Sequence, residues 1–297
     1  MTKLKIGIIG ISEGNGHPYS WSAIFNGYNE QYMKECNFPV IPEYLSKENF
    51  PQDFLTDLGS VTHLWTQDIS ISQQIAAASK ILNIVEKPED MIGEVDAVLL
   101  ARDDGENHVR LAMPFIEAGL PIFIDKPFAL TVDEAEFMLS SQTYENQIFT
   151  CSSLRFSEEL LLTEKEKEKI GVVVYVEGTV VKKWETYGIH ILEPLVAQLP
   201  HRGKLISVHP IKWNGIHKVL IKWENCLANL TITGLVPSPL AIRFFGKNDN
   251  IEKHFTDSFS SFKASLKHFV EVVHSRKSLI SKEEILEIVE IIEKGRC

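Results

Sequence analysis

The sequence predicts an α/β protein of two domains. A doubly wound parallel sheet comes first, followed by an α+β domain whose sheet is mostly antiparallel. Three observations carry this. At 297 residues the chain is long enough for two cores. Up to about residue 150, short apolar runs alternate with helical stretches on short links, as in a parallel sheet. Beyond that point strand-like runs follow one another with little helix between them. The boundary falls after Lys126, giving domains 1–126 and 127–297.

Residues 3–10 read as a short apolar strand, and 20–27 as the following helix with Ser20 as its N-cap. Residues 26–60 delay the next strand. They hold Tyr28, Tyr32, Phe38, Tyr44, Phe50 and Phe54 among three prolines, too aromatic for a disordered linker, and read as an ordered insertion. A strand at 61–66 leads to a helix at 70–80, with Ser70 and Gln73 spaced as a capping box. The run DAVLLA (96–101) has the pattern of a strand buried on both faces. Residues 108–118 are helical in pattern and stop at Gly119, with Pro114 an irregularity. A buried strand at 121–125 and a helix at 131–140, opened by Thr131 and Glu134, complete the alternation.

In the second domain, 163–169 (TEKEKEK) is a solvated charged turn or helix end. Strand-like runs occupy 172–181, 205–213, 219–223, 227–233 and 240–245, interrupted by helical character at 186–199. Two amphipathic helices close the chain. The last has Ser281 and Glu284 as a capping box and an apolar face of Ile285, Leu286, Ile288, Val289 and Ile292.

A net charge of -10 disfavours nucleic acid and anionic membranes as partners, while leaving small anionic ligands open. No apolar run approaches the roughly 18 residues of a membrane span. Residues 1–5 lead straight into a strand-like run with no signal-peptide pattern. Cys36, Cys151, Cys226 and Cys297 are far apart and form no CxxC pair, so a reducing, cytoplasmic setting is expected. No cluster has metal-ligand spacing.

Three stretches carry chemistry. GIIGISEGNGHPYSW (7–21) places glycines between a strand and a helix, where main-chain N–H groups bind phosphate. Gly10 fits the first glycine of a dinucleotide fingerprint, while Ser12 and Asn15 stand where the second and third would fall. His17 is additional; it either touches a ligand or braces the loop. The second stretch ends a strand at Asp68, which either accepts hydrogen bonds from an adenosine ribose or simply starts a helix. No Lys or Arg lies between Asp68 and Lys80, which favours NAD over NADP. The third runs from Asp96 to Ala135, two buried strands flanking a helix. Its second strand ends in Asp125-Lys126-Pro127, putting a lysine at the edge where open α/β sheets bind ligands.

That third stretch resembles the glucose-fructose oxidoreductase / inositol dehydrogenase (Gfo/Idh/MocA) family, marked by a T-P-N-x-x-H turn, a helix ending in A-G and a strand ending in E-K-P. Asn107-His108, Ala118-Gly119 and Asp125-Lys126-Pro127 stand in register with it, and the likeness continues through Arg155-Phe156, Gly188-Ile189-His190 and the terminal helices. The resemblance implies a Rossmann-type first domain, NAD (or NADP) as cofactor, a sugar-like substrate, and a homodimer or homotetramer built on the second domain's sheet. It implies hydride transfer between nicotinamide and a carbinol or ketone, with Lys126 and His190 catalytic. Cofactor contacts then fall to Gly10, Ser12, Asn15, Asp68, Ala101, His108, Asp125 and Lys126. Substrate contacts fall to His17, Arg102, Arg155, Thr186 and Glu193.

The chain departs from the family pattern in two places. Thr186 stands where an aspartate is common four residues before the histidine, with Glu193 three residues after it in a position that could orient His190. Pro194 suggests that the helix begins there. Arg102-Asp103-Asp104 replaces the T-P-N turn, either pairing among themselves at the surface or offering Arg102 to an anionic substrate group. These departures keep two rivals open: a non-catalytic sensor on the same fold, and an enzyme that uses the cofactor transiently for glycoside cleavage or epimerisation.

Overall fold

The computed structural model describes residues 2–296, so Cys297 lies outside the described residues. The chain forms two compact units. The first comprises residues 1–129, 134–150 and 262–280, and the second 130–133, 151–261 and 281–297. The single cut after Lys126 expected from sequence therefore differs from the observed division. Residues 134–150 add a helix and a strand to the first unit, and 262–280 a stretch of the long penultimate helix.

The first unit is built on a six-stranded sheet of β1 (Leu4–Ile9), β2 (Gly59–Trp65), β3 (Asn83–Ile84), β4 (Ala97–Leu100), β5 (Ile122–Ile124) and β6 (Ile148–Thr150). All neighbours are parallel, in the order β3-β2-β1-β4-β5-β6. The order reverses between β1 and β4, opening a crevice at their carboxyl ends. β4 and β5 are buried throughout, as the continuous apolar runs require. The helices are α1 (His17–Asn26), α2 (Glu30–Lys34), α3 (Val40–Leu45), α4 (Ile69–Ser79), α5 (His108–Glu117) and α6 (Val132–Ser140).

The insertion is ordered: Met33, Ile41, Leu45, Phe54 and Leu55 are buried. Helix α1 begins three residues earlier than expected, and Ser20 lies inside it rather than capping it. Pro18 sets the start, because proline suits a first turn whose N–H groups lack helical partners. Asp68, not Ser70, caps α4; its carboxylate accepts from the Ser70 amide and hydroxyl at 2.8 and 2.6 Å. The short β3 and β6 carry too few residues for a periodic signal and escaped the sequence reading.

The second unit holds α7 (Glu164–Ile170), β7 (Val173–Val180), α8 (Ile189–Ala197), β8 (Leu205–Trp213), β9 (Ile216–Trp223), β10 (Leu227–Ile232), β11 (Ala241–Gly246) and β12 (Asn250–His254). Its sheet runs β12-β11-β7-β10-β9-β8, antiparallel except between β7 and β10. Inward positions of β9 and β10 alternate strictly, with Val219, Ile221, Ala228 and Leu230 fully buried beside Leu192 and Leu195 of α8. A π-helical turn at Trp184–Gly188 precedes α8, and Pro194 lies within α8 rather than starting it. Trp184 is fully buried and donates its indole N–H to the Ile292 carbonyl at 2.9 Å. The closing helices are α9 (Ser258–Ser275), which belongs to the first unit from Phe262 on, and α10 (Lys282–Lys294). Ser281 accepts from the Glu284 amide, but the Glu284 carboxylate serves Arg155 instead of closing a capping box. No helix among the described residues is long and apolar enough to cross a membrane.

Candidate active site

In the first unit the β1–α1 loop lies over the carboxyl ends of β4 and β5. Residues 12–15 form a turn closed by the Asn15 amide on the Ser12 carbonyl at 3.2 Å, and Gly14 at φ 77 supplies the left-handed step. Gly10 has another duty. A Cβ there would lie 2.3 Å from the Pro18 ring, so the missing side chain lets α1 approach β1. The Gly10 amide donates to the Trp65 carbonyl at 3.0 Å. The amides of Ser12, Glu13, Gly14 and Gly16 have no acceptor among the described residues, and a Cβ on Gly14 would meet nothing within 4 Å. Free donors beside open space fit the pyrophosphate of a dinucleotide.

Two aspartates hold this loop. Asp103, after β4, meets the Ser12 hydroxyl at 2.5 Å with one oxygen and Lys126 Nζ at 3.2 Å with the other. Asp125, at the end of β5, accepts from Asn15 Nδ2 at 2.9 Å and from His17 Nδ1 at 2.5 Å. A carboxylate only accepts, so the His17 proton sits on Nδ1. The His17 ring stacks on Trp21 at 4.8 Å and meets the edge of Phe262 at 4.9 Å. Burial by itself raises the Asp103 carboxyl, but Lys126 and Ser12 outweigh it and hold it below the usual carboxylate range. Lys126 is 4% exposed, so its ammonium is a nearly buried cation with one carboxylate partner shown.

Within Arg102-Asp103-Asp104, Arg102 does pair with Asp104, but in a buried setting rather than at the surface. Arg102 is 7% exposed and pairs with Asp104 through Nε at 2.8 Å and with Gln67 at 2.9 Å, while Asp103 turns away to Lys126. Arg102 thus has protein partners on Nε and on both terminal nitrogens. Gln67 escaped the sequence reading, yet it also accepts from the Ile11 amide at 3.2 Å and donates to its carbonyl at 2.8 Å. Ala101 is fully buried and its amide bonds the Ile9 carbonyl. His108 is fully buried with its ring nitrogens on the Phe128 and Arg102 carbonyls, at 3.1 and 2.9 Å, which makes it a brace of the loop. Asp68 is exposed and its carboxylate caps the start of α4.

In the second unit, His190 lies in the first turn of α8 and its Nδ1 meets the Ser152 hydroxyl at 2.8 Å. Ser152 carried no sequence signal, because the pairing spans 38 residues. Glu193, expected to orient His190, turns instead to Arg155 at 3.1 Å, and Arg155 also binds Glu284. Arg155 is 8% exposed and Glu193 4%, so the pair braces α8 and α10 and neither side chain is free for substrate. The cause is electrostatic: a buried guanidinium demands acceptors. Burial pushes the Glu193 carboxyl up to about 7, because Arg155, shared with Glu284, only partly offsets it. Thr186 is half-buried in the turn before α8.

A doubly wound sheet with a donor-rich β1–α1 turn and a strand-end lysine defines a dinucleotide-dependent enzyme. Residues 4–152 match the family described as oxidoreductase family, NAD-binding Rossmann fold (Gfo/Idh/MocA), and the chain belongs to that family. It is an NAD(P)-dependent oxidoreductase. No curated protein matches the sequence. Among solved structures, scyllo-inositol dehydrogenase from Lactobacillus casei with bound NAD(H) and scyllo-inositol aligns with TM-score 0.74 at 12% identity, covering 98% of this chain and 95% of that one. Biliverdin reductase from Synechocystis, in complex with biliverdin and NADP+, aligns with TM-score 0.68 at 12% identity, covering 97% and 96%. At such identities the likeness is one of fold.

Proposed function

We propose that this oxidoreductase interconverts a carbinol and a ketone of a sugar, sugar nucleotide or polyol, with Lys126 polarising the reacting oxygen and His190 exchanging its proton. The carrying observation is the buried Lys126 ammonium at the carboxyl end of β5, paired with Asp103 at 3.2 Å. Such a cation stabilises an oxygen that gains negative charge. Asp103 fixes the ammonium's place. Bound NAD(P) supplies the hydride acceptor or donor. A histidine takes the hydroxyl proton as the carbinol is oxidised and returns it in the reverse direction. The Ser152 hydroxyl fixes the ring of His190 for that exchange. The loop amides of Ser12, Glu13, Gly14 and Gly16 hold the pyrophosphate, and the exposed Asp68 carboxylate takes the ribose hydroxyls. The inositol dehydrogenase likeness supports a polyol or sugar over the tetrapyrrole of the reductase, because the Gfo/Idh/MocA pattern of Lys126 and His190 suits hydroxyl chemistry.

The test is a panel of sugars, polyols and sugar nucleotides followed by NADH absorbance, with NADH binding measured separately. Lys126→Met should cut turnover at least about 100-fold. A variant that retains wild-type turnover refutes the role of Lys126.

A further inference from the structure

A cavity lies wholly in the second unit, at the end of its sheet. It has a volume of about 410 Å³ and is walled by Lys182, Lys183, Glu185, Lys212 and Trp213. That is three ammonium groups against one carboxylate, in a chain of net charge -10. Many lysines of this protein are ion-paired, among them Lys34, Lys47, Lys167, Lys169, Lys253 and Lys294. Lys183 and Lys212 have no such partner among the described residues, and both are exposed. Lys182 is held over the Tyr187 ring, 4.2 Å from its centroid, and donates to the Tyr187 hydroxyl. Trp213 is 69% exposed at the end of β8.

The cavity is built rather than incidental. The β8–β9 turn passes through Asn214 and Gly215 at φ 45 and 79. Its tip presses on Gly234, where a Cβ would lie 2.5 Å from the Gly215 carbonyl oxygen. The Lys182 amide bonds the Gly234 carbonyl at 2.8 Å. One close approach therefore pins the ends of β7 and β10 and the hairpin tip together. The wall segment Lys183–Glu185 then runs into the turn that opens α8, whose second residue is His190.

We infer that this cavity is a docking site for the phosphate of a phosphorylated or nucleotide-linked substrate, with Lys183 and Lys212 on the phosphoanion and Trp213 stacked on a base or ring. The inference rests on the oxidoreductase reading and narrows its substrate class, because an uncharged polyol has no use for two ammonium groups that lack a carboxylate partner among the described residues. Lysine binds a phosphate as a point charge, and an exposed indole offers a face to any nucleobase.

The probes are UDP and inorganic pyrophosphate, titrated against the intact protein by calorimetry with NAD+ held saturating, so that the dinucleotide site is filled. UDP should bind with quenching of Trp213 fluorescence, and binding should weaken as salt is raised. The double variant Lys183→Glu, Lys212→Glu should bind both probes at least about tenfold more weakly while NADH affinity stays unchanged. Trp213→Ala should abolish the preference for UDP over pyrophosphate. The inference is overturned if the wild type binds neither probe, if the charge-reversed variant binds as the wild type does, or if excess NAD+ displaces UDP. It is also overturned if Trp213→Ala dissociates an oligomer and leaves UDP binding intact, which would give this face to a second copy of the chain. Failure to bind NADH would instead refute the dinucleotide reading, so the two failures are separable.

Discussion

Replacing Asp103 with asparagine removes one charge from the Lys126 pair while keeping the side chain's shape. At 3.2 Å, an effective dielectric constant of about 20 gives a gross attraction of about 5 kcal/mol. Removing one partner of a fully buried pair costs about 3–5 kcal/mol, because the other charge is stranded. The Lys126 side chain is 5% exposed but that of Asp103 is 18%, so water reaches the carboxylate and the expected loss is about 2–3 kcal/mol. Asp103 sits below the usual carboxylate range in the folded protein, against about 3.9 unfolded. A depressed carboxyl contributes stability that is complete above the unfolded value and disappears as pH falls through the folded one. The gap between wild type and Asp103→Asn should therefore be full at pH 7 and close below about pH 4. Urea unfolding of both proteins across that range measures it. A gap under about 0.5 kcal/mol at pH 7, or one that persists unchanged at low pH, would falsify this account of the pair.

Other consequences follow from the same geometry. Glu193 behaves oppositely to Asp103: its folded value, about 7, lies above the unfolded one, so stability falls as pH rises from about 4.5 through 7. Glu193→Gln should flatten that slope in thermal unfolding, and an unchanged slope would show that another group causes it. Gly10→Ala would place a methyl 2.3 Å from Pro18, so α1 must shift; NADH affinity should drop about tenfold or more, measured by fluorescence titration. In the second unit, Gly188→Ala would press a methyl to 2.5 Å from the Trp184 ring, and the expected cost is about 1–3 kcal/mol in unfolding experiments.

The parallel sheet was legible because strands buried on both faces have nowhere to place polar residues: DAVLLA announced β4 and PIFID announced β5. The same run disclosed Lys126, since a charge directly after a buried strand must sit at the sheet's edge. Helix periodicity located α10 and its cap at Ser281. Local rules misjudged other details where they competed. Ser20 and Ser70 are good capping residues, but Pro18 and Asp68 lay nearer the real starts. Pro194 looked like a helix start, yet α8 is long enough by its apolar packing to carry it inside.

Only the tertiary structure decided the partners. Ser12 meets Asp103 across 91 residues, His17 meets Asp125 across 108, and Arg155 meets Glu284 across 129. Sequence named most of these residues but left their partners open: Glu193 could have oriented His190, and Arg102-Asp103-Asp104 could have paired among themselves or offered Arg102 to a substrate, whereas Glu193 meets Arg155 and Asp103 meets Lys126. The reason is physical. Periodicity records which face of an element is apolar, a property of neighbours along the chain. The partner of a buried charge depends on which strand ends the sheet order brings together, and order β3-β2-β1-β4-β5-β6 sets β1, β4 and β5 side by side. That placement gathers Ser12, Asp103, Asp125 and Lys126 into one crevice, while the sequence alone shows them only as separate turns.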